Sequence, residues 1–524
     1  MVYSTAEVLA LSTLDSKSPI LVLWTPASSV GEFLLTGVKA TGAKFIKGSG
    51  KITGQADGTV LVSIPSVSGT NVIRFTDNLR VVVFDKPSAF AAYVPSVGAE
   101  PQAPHDKNLL VTGPSLVRSA KIKLGTVALT GDATEDTTLE VFAPPTVLFV
   151  TWNGKLVPAI RNAYGALVGQ LRPSLKGIKI GDFKWHSADG LPERLAEYDD
   201  SRWKVLNATS SPSVWQPETL PPLFGEDNQL WMGNILWRGR FKGASATGVY
   251  LSVAGGNAMG YSAYVNGALV GSFWGDRYTV IGNTTFSFAN ATLKAEGENV
   301  LLVVQDHTGK GLRDLALIPR GIFNATLTGV ELTPGDRTGG FSSWKVAGTA
   351  GADAKLGTID PVRGPLNEGG LHAERLGWHL PGFDASKFST SGRPETGLST
   401  DGMVFYRAEV DIKVPRGLDA ALALELDPSI SPTRNFRVLL FVNGYQYGKM
   451  IQRMGNQIEF PVPPGILNYN GKNTIGVNLW AQESVGAKVG VSLKVVGVAE
   501  SSFDAIMPEA ASLRPPYTDR SKYY

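Results

Sequence analysis

Apolar residues in this chain fall in short blocks bounded by Gly, Pro, Ser or Asp. The blocks ILVLW at 20–24, VLVSI at 60–64 and RVVVF at 80–84 are rich in β-branched residues. Their length suits strands rather than helices. Asn-Gly pairs occur at Asn153-Gly154, Asn266-Gly267, Asn443-Gly444 and Asn470-Gly471. That dipeptide tolerates the positive φ of a tight hairpin, so four such turns are predicted. Gly48-Ser49-Gly50-Lys51 lies between two strand-like runs with no helix after it, which predicts a hairpin and not a phosphate loop. Helical signals are few. The clearest is PERLAEY at 192–198, with proline early and acids in the first turn, and it is barely two turns long. The pattern predicts an all-β chain.

An internal repeat organises the second half. Leu236-Trp237-Arg238, Val265-Asn266-Gly267 and Glu298-Asn299-Val300-Leu301 recur as Phe405-Tyr406-Arg407, Val442-Asn443-Gly444 and Lys472-Asn473-Thr474-Ile475. The separations are 169 residues from Arg238 to Arg407, 177 from Asn266 to Asn443 and 174 from Asn299 to Asn473. Three matches at nearly one offset predict two copies of one fold of about 150 residues. A strand bearing an aromatic residue and arginine, a central hairpin and a late apolar strand fit a jelly roll. Turn-rich stretches at 95–107, 182–203 and 333–341 predict boundaries, and the segment after Val498 reads as irregular chain on a surface.

Composition narrows the functions. A length of 524 residues implies three or four domains. The 59 glycines and 32 prolines are spread without period, as many turns between short strands require. Charges nearly cancel, 49 basic against 46 acidic, so no field is built for nucleic acid or an anionic membrane. No cysteine occurs, which excludes disulfides, thiolate metal sites and cysteine nucleophiles. The first residues lack the charged and apolar regions of a signal peptide, and no apolar stretch approaches 18 residues. His105, His186, His307, His372 and His379 are scattered without metal-ligand spacing, so neither metal nor cofactor is expected.

Longer runs resemble a known family. VRGPLNEGGLHAER at 362–375, VNGYQYGK at 442–449 and FPVPPGILNY at 460–469 are similar to stretches of fungal β-galactosidases of glycoside hydrolase family 35. YSTAE at 3–7 and YDDSRW at 198–203 resemble the same family. The resemblance implies an enzyme with a catalytic (β/α)8 barrel, followed by a mostly antiparallel second domain, a small sandwich and two jelly rolls. This sequence would hold the rest of the second domain (1–114), the small β-sandwich (115–181), two jelly rolls of galactose-binding-like type (182–340 and 341–498) and a tail (499–524). The partner implied is the barrel, upstream in the same polypeptide or on a separate chain. The family also implies secretion.

A retaining glycosidase needs two carboxyl groups about 5–5.5 Å apart, set here by a barrel of eight alternating strands and helices. One short helix cannot supply that barrel, so no catalytic residue is expected and the chain alone is predicted inactive. Asn367-Glu368 mimics the Asn-Glu pair of the family's acid/base strand, but neighbouring glycines place it in a loop entering the second jelly roll. The expected role is accessory: to scaffold an enzyme that hydrolyses terminal β-D-galactosides with retention. The alternative is a free-standing, lectin-like protein that binds galactose-containing glycans. For that, Trp274, Tyr278 and Asp306 are the candidate carbohydrate contacts, an aromatic face with a carboxylate to orient hydroxyls. The family's tryptophan loop is absent after Asp306, where the chain reads His307-Thr308-Gly309-Lys310-Gly311. Sequons at Asn207, Asn283, Asn290 and Asn324 are candidate glycosylation sites.

Overall fold

The computed structural model describes residues 1–97, 107–231, 233–348, 369–503, 517 and 519. The regular structure of the described chain is nearly all strand, and the chain divides into two compact units. One comprises Met1–Gly177, Val414–Ala420 and Gly497–Ala505; the other comprises Ile178–Lys413, Ala421–Val496 and Ile506–Tyr524.

In the first unit, the three apolar blocks read from the sequence become the strands Ile20–Thr25, Val60–Ile64 and Arg80–Asp85. Two sheets enclose Leu23, Phe33, Val62, Ile73 and Val83, all without exposure. Arg80–Asp85 is flanked by strands on both sides, one parallel and one antiparallel, which explains why its apolar run is nearly unbroken. Gly48-Ser49-Gly50-Lys51 does not make the expected hairpin. Lys44–Lys47 before it pairs with Thr70–Arg74, whereas Lys51–Gly54 after it pairs with Val60–Ile64 in the other sheet, so this turn is a corner between sheets.

Next comes the small sandwich. Its sheets meet over Val111, Val127, Leu129, Val141, Val150 and Trp152. Ala92–Tyr93 and Leu110–Thr112 hydrogen-bond into this sandwich, so it begins well before residue 115. Asn153-Gly154 makes its predicted two-residue hairpin between Phe149–Trp152 and Lys155–Val157.

The second unit holds two jelly rolls of matching topology. The principal sheet of the first runs Gly233–Lys242, Glu298–His307, Gly260–Val265, Ala268–Trp274; that of the second runs Gly402–Lys413, Asn470–Ala481, Phe436–Val442, Tyr445–Ile451. Both hairpins turn on the expected asparagines, each at φ 47°. Asn266 donates to Asn299 Oδ1 at 2.8 Å and accepts from the Val300 N–H; Asn443 donates to Asn473 Oδ1 at 2.8 Å and accepts from the Thr474 N–H. Both inner hairpins carry a register shift, after Ala263 in one and Leu440 in the other. The fourth Asn-Gly pair differs. Asn470-Gly471 opens a long strand, because it pairs in register with Ile412 and Lys413.

Two boundaries also move. Lys184–Asp189 falls within the 182–340 range expected for the first jelly roll yet pairs with Gly402–Lys413 of the second. Ser343–Ala347 follows the 333–341 turns yet pairs with Gly233–Lys242 of the first. The helix expected at 192–198 is a single 3-10 turn, Pro192–Arg194. Arg238 takes the carbonyls of Glu193, Leu195, Ala196 and Tyr198, and the first of these is one that a helix over 192–198 would have used internally. Between the two principal sheets, Leu236, Tyr264, Leu302 and Val304 pack against Phe405, Leu439, Phe441 and Trp480. Each of these burials is worth roughly 1.5–3 kcal/mol relative to exposure.

Candidate functional site

The register of the first jelly roll brings two of the three candidate sugar contacts to one level. Gly260 faces Trp274 on one side and Asp306 on the other, and Asp306 in turn faces Asn234. Residues opposed across a sheet share a face, and here that face meets the second jelly roll. Gly260 has no side chain because Arg437 lies over it, where a Cβ would overlap the guanidinium.

Asp306 is fully buried. One carboxylate oxygen accepts from Arg437 Nη1, the other from Lys449 Nζ at 2.5 Å. Burial alone would push this carboxyl up, but Lys449 and Arg437 outweigh it and hold the group below its ordinary value. Arg437 completes its fork on the Ala258 carbonyl at 2.9 Å and Gln482 Oε1 at 3.3 Å. The carboxylate is therefore engaged in joining the two jelly rolls. Trp274 is half-buried, with Arg453 stacked 5.8 Å from its ring centroid, and among the described residues its Nε1 meets no acceptor.

Tyr278 stands apart from this row at 74 % exposure, with the Arg277 guanidinium 4.8 Å from its ring. Asp276 fixes its backbone: Oδ1 accepts from the N–H groups of Tyr278 and Thr279, both at 2.8 Å. Of the three candidates, Tyr278 alone presents an open aromatic face. Sequence reasoning missed Arg437, Lys449 and Arg453, which decide the state of the other two. The available signal was Asp306 itself, an acid ending the apolar strand ENVLLVVQDH; a buried carboxylate requires cations from elsewhere in the chain.

Asn207, Asn283 and Asn290 are exposed, whereas Asn324 is half-buried and donates its amide to Glu218 at 2.7 Å. Asn367, Glu368 and His105 lie outside the described residues. Among the described residues no group of three or more His, Asp or Glu could hold a metal ion, and no helix is long and apolar enough to cross a membrane.

Comparison with known proteins covers most of the chain. The β-galactosidase second all-β domain matches twice, over residues 198–311 and 372–485. β-Galactosidase domain 3 matches residues 93–168, and domain 2 matches residues 1–91. A probable β-galactosidase B of Sclerotinia sclerotiorum is 45% identical over 532 residues, covering 100% of this chain and 52% of its own length. Counterparts in Pyrenophora tritici-repentis and Penicillium rubens are 42% and 41% identical, each over 100% of this chain and 51% of their own length. The chain thus spans about half the length of the curated relatives it matches.

Proposed function

We infer that this chain, which belongs to the β-galactosidase family and carries its domain 2, domain 3 and two copies of its second all-β domain, is the accessory, non-catalytic half of a β-galactosidase. The observation that carries the reading is the match of all four folded regions to β-galactosidase domains, in relatives about twice as long. The missing half would be a catalytic barrel in the same polypeptide, hydrolysing terminal non-reducing β-D-galactosides with retention. These four β-domains would scaffold it. An edge strand supports this: Glu7–Ser12 ends its sheet and leaves Val8, Leu9 and Leu11 exposed, a surface that natural proteins usually cover. The role is tested by removing this chain from a polypeptide that carries both parts. The barrel region should then lose heat stability and precipitate; unchanged activity and heat stability would overturn the role.

The second reading is direct glycan contact at Trp274 and Tyr278, favoured by the open Tyr278 ring. Asp306 would serve it by holding the strand ends together. Secretion belongs to the same proposal, and the exposed sequons at Asn207, Asn283 and Asn290 are compatible with it.

A further inference from the structure

The two jelly rolls share a second, fainter repeat, at a constant offset of 185 residues. Leu195, Tyr198, Asp199, Ser201 and Trp203 correspond to Leu380, Phe383, Asp384, Ser386 and Phe388. The hydrogen bonds repeat with the residues. Tyr198 N–H donates to the Leu195 carbonyl and Phe383 N–H to that of Leu380; Trp203 N–H donates to the Asp200 carbonyl and Phe388 N–H to that of Ala385. Asp199 Oδ1 accepts from the Ser201 N–H at 2.9 Å, and Asp384 Oδ1 from the Ser386 N–H at 2.9 Å. Each segment caps the arginine of its own copy: Arg238 donates to the Leu195 carbonyl and Arg407 to the Leu380 carbonyl.

One position breaks the repeat. Asp200 in the first copy pairs with Arg238, Arg240 and Lys345. Its counterpart is Ala385, so Arg407 has no such carboxylate. The Arg407 side chain is only 4% exposed, and its contacts are long: 3.4 Å to Glu409, 3.2 Å to the Leu380 carbonyl and 3.4 Å to Thr474. Among the described residues its Nε meets no acceptor, an unusual state for a buried guanidinium. A cleft of about 540 Å³ opens over it, with Phe383, Ala385, Glu409, Asp411 and Lys472 on its walls. That volume lies within the range of small-molecule sites.

We propose that this cleft is a glycan-binding site for a neutral hexose unit, whose hydroxyls accept from Arg407 and donate to Glu409 and Asp411. This goes beyond the scaffold role and concerns a place distinct from Trp274 and Tyr278. Arg407, Glu409 and Asp411 alternate along Gly402–Lys413 and therefore share one face. Donors and acceptors on one face suit hydroxyl groups, which do both. A carboxylate-bearing sugar fits less well: besides Glu409 and Asp411, Asp182 and Asp384 line the cleft, against Lys184, Lys472 and Arg407, so an added anion meets no surplus of positive charge. The Phe383 ring supplies an apolar wall for the sugar's C–H face.

The test titrates the full 524-residue chain with D-galactose, lactose and D-glucuronate, read by saturation-transfer NMR and calorimetry. Galactose and lactose should bind, with glucuronate at least tenfold weaker. Ala385→Asp should restore to Arg407 the partner that Arg238 has, and should weaken sugar binding tenfold or more with an unchanged circular dichroism spectrum. Should that variant fold poorly, Glu409→Gln on the open wall should also weaken binding tenfold. Absence of binding by either neutral sugar, a preference for glucuronate, or full binding retained in a folded variant would overturn the proposal.

Discussion

The two jelly rolls share strand order, hairpin asparagines and even the register shift beside each hairpin, yet treat the same arginine differently. In the first, Arg238 is buried against Asp200 and four carbonyls. In the second, Arg407 is buried with Ala385 in place of that acid and a cleft above it. The lesson is that a duplicated fold keeps what its sheets need and lets the caps diverge. The asparagines are retained because their geometry has few substitutes: a side-chain amide bridging two strands from a backbone at positive φ. The cap lies outside the ladder, so its charge can change without disturbing the strands.

The comparison breaks most sharply at Asp200. Asp200→Ala leaves Arg238 buried without its carboxylate and should cost about 3–5 kcal/mol of unfolding free energy, measured by urea titration. A loss below about 1 kcal/mol would show that Arg238 tolerates the state of Arg407, removing the contrast. Asp200 also sets a pH signature. Burial opposes its ionisation, but Lys345, Arg238 and Arg240 prevail and hold it below its ordinary value. A carboxyl depressed on folding stabilises the protein above the unfolded value, near pH 4, and that contribution is lost as pH falls through the folded value. Asp200→Asn should therefore flatten the decline in stability below pH 4.

Smaller effects sharpen the likeness. Asn266→Ala and Asn443→Ala each remove paired hydrogen bonds at a positive-φ position, and each should cost about 2 kcal/mol. Costs differing by more than about 1 kcal/mol would mean that the hairpins are not equivalent. Tyr278→Ala, at an exposed ring, should change stability by less than about 0.5 kcal/mol, so any loss of glycan binding in that variant would report contact rather than unfolding.

Much of this fold was legible in the sequence because strands and hairpins are local decisions. The apolar blocks at 20–24, 60–64 and 80–84 needed only burial on a sheet, and three Asn-Gly pairs needed only a two-residue turn. What escaped depended on partners far along the chain. Arg238 unwinds the 192–198 segment from about 45 residues away, through its bond to the Glu193 carbonyl. The Gly48-Ser49-Gly50-Lys51 turn became a corner because its flanking strands pair in different sheets. Asp306 reads from the sequence as a hydroxyl acceptor, but its partners Arg437 and Lys449 lie 131 and 143 residues beyond it. The 185-residue repeat was hidden because Leu380, Asp384 and Ser386 keep their identity while the aromatic positions change type.

The accessory role is tested most directly by incubating the purified 524-residue chain with a chromogenic β-galactoside. Release no faster than in buffer is expected. Turnover well above buffer, abolished by Glu368→Gln, would contradict it.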